Sequence, residues 1–174
     1  MGSASHCHVR ALARHDAILQ EAVLHCSGRV VKHTGDGIIA VFTNGRAIEC
    51  VVQAQKAVNA ADWSAVEGLH VRMCVFTGEA EERDGDFFGP ALNGAARMLS
   101  AAWGGQVLVN DAAAACGTLP DGASLTDAGV HVLRDLMEPQ QINILAHPTL
   151  PVEFPALRTV NRGQPQNVQI AACI

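Results

Sequence analysis

The period of apolar and polar positions changes several times along the chain, and each change marks an element. Between Val9 and Cys26, apolar residues recur at Leu12, Leu19, Val23 and Cys26, with His15, Asp16, Gln20 and Glu21 between them. That spacing predicts a helix, stopped by Ser27-Gly28. Two short apolar runs, Val30-Val31 and Ile38-Ile39-Ala40-Val41-Phe42, then flank a Gly35-Asp36-Gly37 tip. Asp-Gly between such runs predicts a β-hairpin, because tight hairpin turns need positive φ. A second helix is predicted from about Gly45 to Ala60, with Ile48, Val51, Val52 and Val58 on one stripe and Glu49, Gln53 and Lys56 off it.

Leu69, Val71, Met73 and Val75 alternate with their neighbours, so 69–76 reads as a strand ending at Thr77-Gly78. Glu79 to Gly85 is acidic and turn-rich, which suits a loop or a hairpin tip. Ala91 to Trp103 returns to helical spacing through Leu92, Ala95, Leu99 and Ala102, and Gly104-Gly105 stops it. A strand at 106–109, a short helix at 112–116 and a strand pair at 130–133 and 141–145 follow. Beyond His147 the prolines at 148, 151, 155 and 165 predict an extended tail rather than packed structure. The expected organisation is an unstructured start over 1–10, one domain over 11–147 and an extended Pro-rich tail over 148–174. Interleaved helices and strands with a hairpin imply an α+β fold, a split βαβ arrangement with a mixed sheet.

Composition narrows this picture without redirecting it. The 174 residues suffice for one core, and 49% apolar with 17% charged residues is a globular balance. A net charge of −5 argues against general nucleic-acid or membrane-surface binding. No apolar run approaches the ~20 residues of a membrane span, and no secretory signal is visible. The six cysteines lack a Cys-x-x-Cys pair, so they read as buried free thiols of a cytoplasmic protein. His6-Cys7-His8 could clip a metal, but nothing nearby completes a tetrahedral set, and a disordered end is the preferred reading.

Five residues could carry chemistry. Lys32 lies on one arm of the hairpin and Asp36 at its tip. Asp86 opens Asp86-Phe87-Phe88-Gly89 before the third helix, and Asn93 and Arg97 sit four apart on that helix, on one face. Carboxylates offer hard oxygen ligands for Mg²⁺, and a guanidinium suits phosphate. Each also has an ordinary reading: Asn93 and Arg97 as a solvated helix face, Asp86 as a helix-entry carboxylate, Lys32 as a surface strand residue.

The order of three segments adds a family resemblance. Val31-Lys32-His33-Thr34-Gly35-Asp36-Gly37, then Val71-Arg72-Met73 through Thr77-Gly78-Glu79, then Gly85-Asp86-Phe87-Phe88-Gly89-Pro90-Ala91-Leu92-Asn93-Gly94-Ala95-Ala96-Arg97-Met98 resembles the class III adenylyl/guanylyl cyclase catalytic domain. The likeness spans roughly Ala11 to Arg158 and is nearest the actinobacterial branch, often joined to ATPase and helix-turn-helix regulator modules. It implies a ferredoxin-like core and a head-to-tail homodimer with two sites at the interface. It also implies attack of the ribose 3′-hydroxyl of ATP on the α-phosphate, releasing pyrophosphate, with Mg²⁺ or Mn²⁺ as cofactor. By position Asp36 matches a metal ligand, Lys32 and Asp86 the adenine-reading pair, and Asn93 and Arg97 the transition-state pair. Asp36 would come from one chain and Asn93 and Arg97 from the other. Lys32 as donor and Asp86 as acceptor suit adenine, so ATP is expected rather than GTP.

The chain departs from that family in two places. The family's opening strand, Phe-Thr-Asp-(Ile/Val)-Glu-Gly-Ser-Thr, carries the other metal aspartate, and no such stretch is present. An N-terminally truncated domain of low cyclase activity is therefore expected, or a catalytically inactive module that binds nucleotide or dimerises for regulation. Near Leu133-Arg134-Asp135-Leu136, where many relatives place a phosphate-binding Lys, only Arg134 is available.

Overall fold

The computed structural model describes residues 3–136 and 138–159, with side chains from Cys7 onward. Helix α1 runs Ser3–His25. It begins at Ser3 rather than near Val9, through the start expected to be unstructured, because no Gly or Pro interrupts residues 3–25. Strands β1 (Arg29–His33) and β2 (Ile38–Val41) form the expected hairpin, closed by a Thr34 N–H bond to the Gly37 carbonyl at 2.8 Å. Helix α2 (Ala47–Ala60) follows, then β3 (Met73–Val75), β4 (Glu81–Arg83) and β5 (Asp86–Phe88). Helix α3 (Pro90–Ala101), β6 (Val107–Asn110), α4 (Asp111–Cys116), β7 (Ser124–His131) and β8 (Gln140–Ala146) complete the order.

The main sheet has the order β3-β6-β8-β7 and is mixed, as expected: β3 and β6 are parallel, the other pairs antiparallel. Its alternating side chains are buried on both faces. Met73, Val75, Val107, Val109 and Leu145 join α1 and α2 in one apolar cluster. Leu108 and Ile142 point the other way, onto Met98 and Ala101 of α3. Helices therefore cover both faces, and β6 is buried along its whole length. The hairpins β1–β2 and β4–β5 form separate ladders, not joined to this sheet among the described residues.

Several boundaries differ from the pattern. Only Met73–Val75 of the predicted strand at 69–76 pairs in the sheet, because the Val71 carbonyl accepts from Gly105 N–H and the Gln55 amide instead of a ladder partner. Strand β7 starts at Ser124, not Val130, since its polar half pairs with β8 across a register shift between Asp127 and Gly129. From Pro151 to Thr159 the tail carries no helix or strand and is mostly exposed, but it is tied to the domain at several points. Leu150 is buried, Arg158 N–H bonds the Ala101 carbonyl, and the Arg158 guanidinium stacks 3.6 Å above the Trp103 ring. Of the cysteines, Cys26 and Cys50 are buried as expected, but Cys116 is exposed; Cys173 lies outside the described residues.

Candidate functional site

Helix α3 starts abruptly. Gly89 precedes Pro90 with φ 125°, a conformation only glycine adopts readily, and a Cβ there would sit 3.3 Å from the Glu79 carbonyl oxygen. Pro90 at the first helical position needs no amide partner, and Ala91 N–H bonds the same Glu79 oxygen at 3.1 Å. One turn later Gly94 is buried against the Phe76 ring, where a Cβ would come within 2.4 Å of it. Close approach at Gly94 and full burial of Met98 fix the rotation of α3. Asn93 and Arg97 consequently project from its exposed face.

These two side chains line a cleft of about 550 Å³ with Gly89, Pro90, Asp135 and Leu136. Arg97 Nη2 lies 2.8 Å from Asp135 Oδ2. Asp135 was not singled out in the sequence; a charged Arg-Asp pair between two leucines was its only local signal. A second depression, about 740 Å³, adjoins the first across Gly89 and Pro90 and extends along Gly78 to Glu81 and Arg83. There Arg83 forks onto Glu81 at 2.7 and 2.6 Å, and that hydrogen bonding holds the Glu81 carboxyl below its ordinary range.

The remaining candidates belong to the two hairpins. Lys32 is exposed on β1 just after a bulge, where pairing shifts between Val30↔Ala40 and Lys32↔Ile39. Asp36 is exposed at the tip. Asp86 is half-buried and opens β5; its Oδ1 accepts the Phe87 N–H at 2.8 Å. The two hairpins meet through Arg29, which pairs with Glu82 at 2.6 Å and lies 5.2 Å above the Phe87 ring. Within one chain the cleft thus gathers Asn93 and Arg97, while Lys32, Asp36 and Asp86 do not line it.

No protein-family model matches the chain. An uncharacterised protein of Mycobacterium tuberculosis is 34% identical over 154 residues, which is 86% of this chain and 52% of that protein. The chain thus spans about half the length of that relative. A Rhizobium meliloti protein with the provisional name adenylate cyclase 3 is 30% identical over 138 residues, 78% of this chain and 24% of its own. An adenylate cyclase of Trypanosoma brucei, solved in its monomeric state, superposes with a TM-score of 0.74 at 24% identity, over 87% of this chain and 83% of that one. The chain has the class III nucleotidyl cyclase domain fold.

Few groups in this cyclase-type domain suit a metal ion. The fold family implies Mg²⁺ or Mn²⁺, and catalysis with two ions needs them ~3.5–4 Å apart. Among the described residues no three His, Cys, Asp or Glu side chains converge as a metal-binding group. The β1–β2 hairpin offers one carboxylate, Asp36, at an exposed turn. The residues present do not fit a two-metal centre. Arg97 and Asn93, by contrast, form a charged and amide-bearing wall suited to a phosphoryl group.

Proposed function

We propose that this domain binds ATP and is of the adenylate-cyclase type, with turnover to cyclic AMP and pyrophosphate that is low for this chain alone. The observation that carries the reading is the pairing of the cyclase fold with an exposed Asn93–Arg97 wall beside a cleft. In the reaction, the ribose 3′-hydroxyl attacks the α-phosphate and pyrophosphate leaves. Arg97 offsets charge developing on the α-phosphate, and Asn93 donates its amide beside it. Such preorganised donors contribute ~3–4 kcal/mol each where one is removed. Lys32 as donor and Asp86 through its second carboxylate oxygen are assigned to the adenine edge. A head-to-tail homodimer would bring Asp36 of one chain to Asn93 and Arg97 of the other. Low turnover follows from the single carboxylate, which does not fit two ions.

Purified chain incubated with ATP and Mn²⁺ or Mg²⁺ tests this reading. Cyclic AMP that disappears in Asp36→Ala and Arg97→Ala supports catalysis. The isolation of Asp36 favours a second reading, a module that binds nucleotide without turnover. Retained ATP binding with no cyclic AMP would select it, and loss of both would refute the site.

A further inference from the structure

We infer that Asp135 is a built-in occupant of an anion subsite formed by Arg97 and Arg134, which the phosphate chain of a nucleotide must displace. This rests on the nucleotide-binding reading above and adds a control on that same site. Asp135 Oδ2 lies 2.8 Å from Arg97 Nη2 and 3.9 Å from Arg134 Nε. One carboxylate oxygen therefore contacts the Arg97 guanidinium and lies at the edge of ion-pair reach of the exposed Arg134, a position a phosphoryl oxygen would also fill. Guanidinium forks match carboxylate and phosphate alike.

The turn holds the carboxylate there. Leu133 is 2% exposed, and with Leu136 it packs against the cluster under α3. Leu136 N–H bonds the Leu133 carbonyl at 3.2 Å, closing the turn. Asp135 itself has φ 58°, a left-handed conformation uncommon outside glycine and most accessible to Asn and Asp. Backbone geometry thus directs this short side chain toward α3. Both partners stay well exposed, 42% for Arg97 and 61% for Asp135, so the latch is weak. An incoming polyanion, with more charge than one carboxylate, displaces it.

The probe is inorganic pyrophosphate, titrated calorimetrically into the full chain, Asp135→Asn, Arg97→Gln and the double variant. Asn keeps the left-handed backbone accessible while removing the charge. In parallel, Arg97 modification by a dicarbonyl reagent is followed by peptide mass spectrometry without ligand. Asp135→Asn is expected to bind pyrophosphate roughly 2- to 5-fold tighter, the range of an exposed ion pair, and to speed Arg97 modification. The gain should vanish in the double variant, and Asp135→Glu should restore slow modification. Equal Arg97 reactivity with and without the Asp135 charge would overturn the latch and leave the nucleotide reading standing. Faster modification without tighter binding would do the same, provided Arg97→Gln still weakens pyrophosphate. Absence of pyrophosphate binding in every form would overturn both.

Discussion

Helix α3 and the β1–β2 hairpin each present two of the candidate residues, yet their support differs. Under α3, Met98 and Ala101 are buried against Leu108 and Ile142 of the main sheet, and Gly94 lets the helix close onto Phe76. The hairpin is a two-stranded ladder of its own, and all four residues of β2 are only half-buried. Two-stranded ribbons are marginal without further pairing or packing. Asn93 and Arg97 therefore stand on a helix closed onto the sheet, whereas Lys32 and Asp36 sit at the exposed end of a hairpin that meets the core through Val30, Ile38, Ala40 and Phe42. The helix candidates are backed by fully buried side chains; the hairpin candidates are backed by half-buried ones.

The largest effects should come from the scaffold. Met98→Ala removes a fully buried side chain, and urea unfolding should show a loss of ~2–5 kcal/mol. Ile39→Ala on the half-buried β2 should cost less than half as much, and equal losses would break the comparison. Arg97→Ala should next weaken nucleotide binding by ~1.5–3 kcal/mol, the range of hydrogen bonds to charged groups, with an unchanged melting temperature. Asp36→Ala should leave stability within ~0.5 kcal/mol, as for an exposed turn residue.

A separate, pH-linked effect reports on the packing of α1 on α2. Burial pushes the Cys50 thiol from its ordinary 9.0 up to about 12, with Cys26 beside it adding to the shift. The folded form favours the protonated thiol. Its contribution is fully present below pH 9 and is lost between 9 and about 12, so stability should fall in that window and fall less in Cys50→Ala. Chemical denaturation at stepped pH measures it. Exposed Cys116 should alkylate in the native protein while Cys50 does not.

Which of these features were legible in the sequence follows from their range. The apolar stripes of α1, α2 and α3, and the Asp-Gly tip between two apolar runs, are local signals, and they placed those elements closely except for the start of α1, which lies at Ser3 rather than Val9. Asn93 and Arg97 were readable as one face because an i, i+4 spacing fixes it. The bulge that separates Val30 from Lys32 was not, since no residue there demands it; the register shift follows from pairing with Ala40 and Ile39. The first half of β7 was hidden for the same reason: Asp127 and Gly129 are poor strand formers, and pairing with β8 decides the outcome. Asp135 was invisible because its partner lies in α3, far along the chain, and Leu133 and Leu136 bring the turn against the cluster under that helix.

Titration of ATP in EDTA and then in Mg²⁺, using the unmodified chain, Asp36→Ala and Arg97→Ala, tests the central asymmetry most directly. Nucleotide affinity should persist without metal, change little in Asp36→Ala and drop in Arg97→Ala by ~10-fold or more. Binding that requires the divalent ion, collapses in Asp36→Ala and survives in Arg97→Ala would contradict the account.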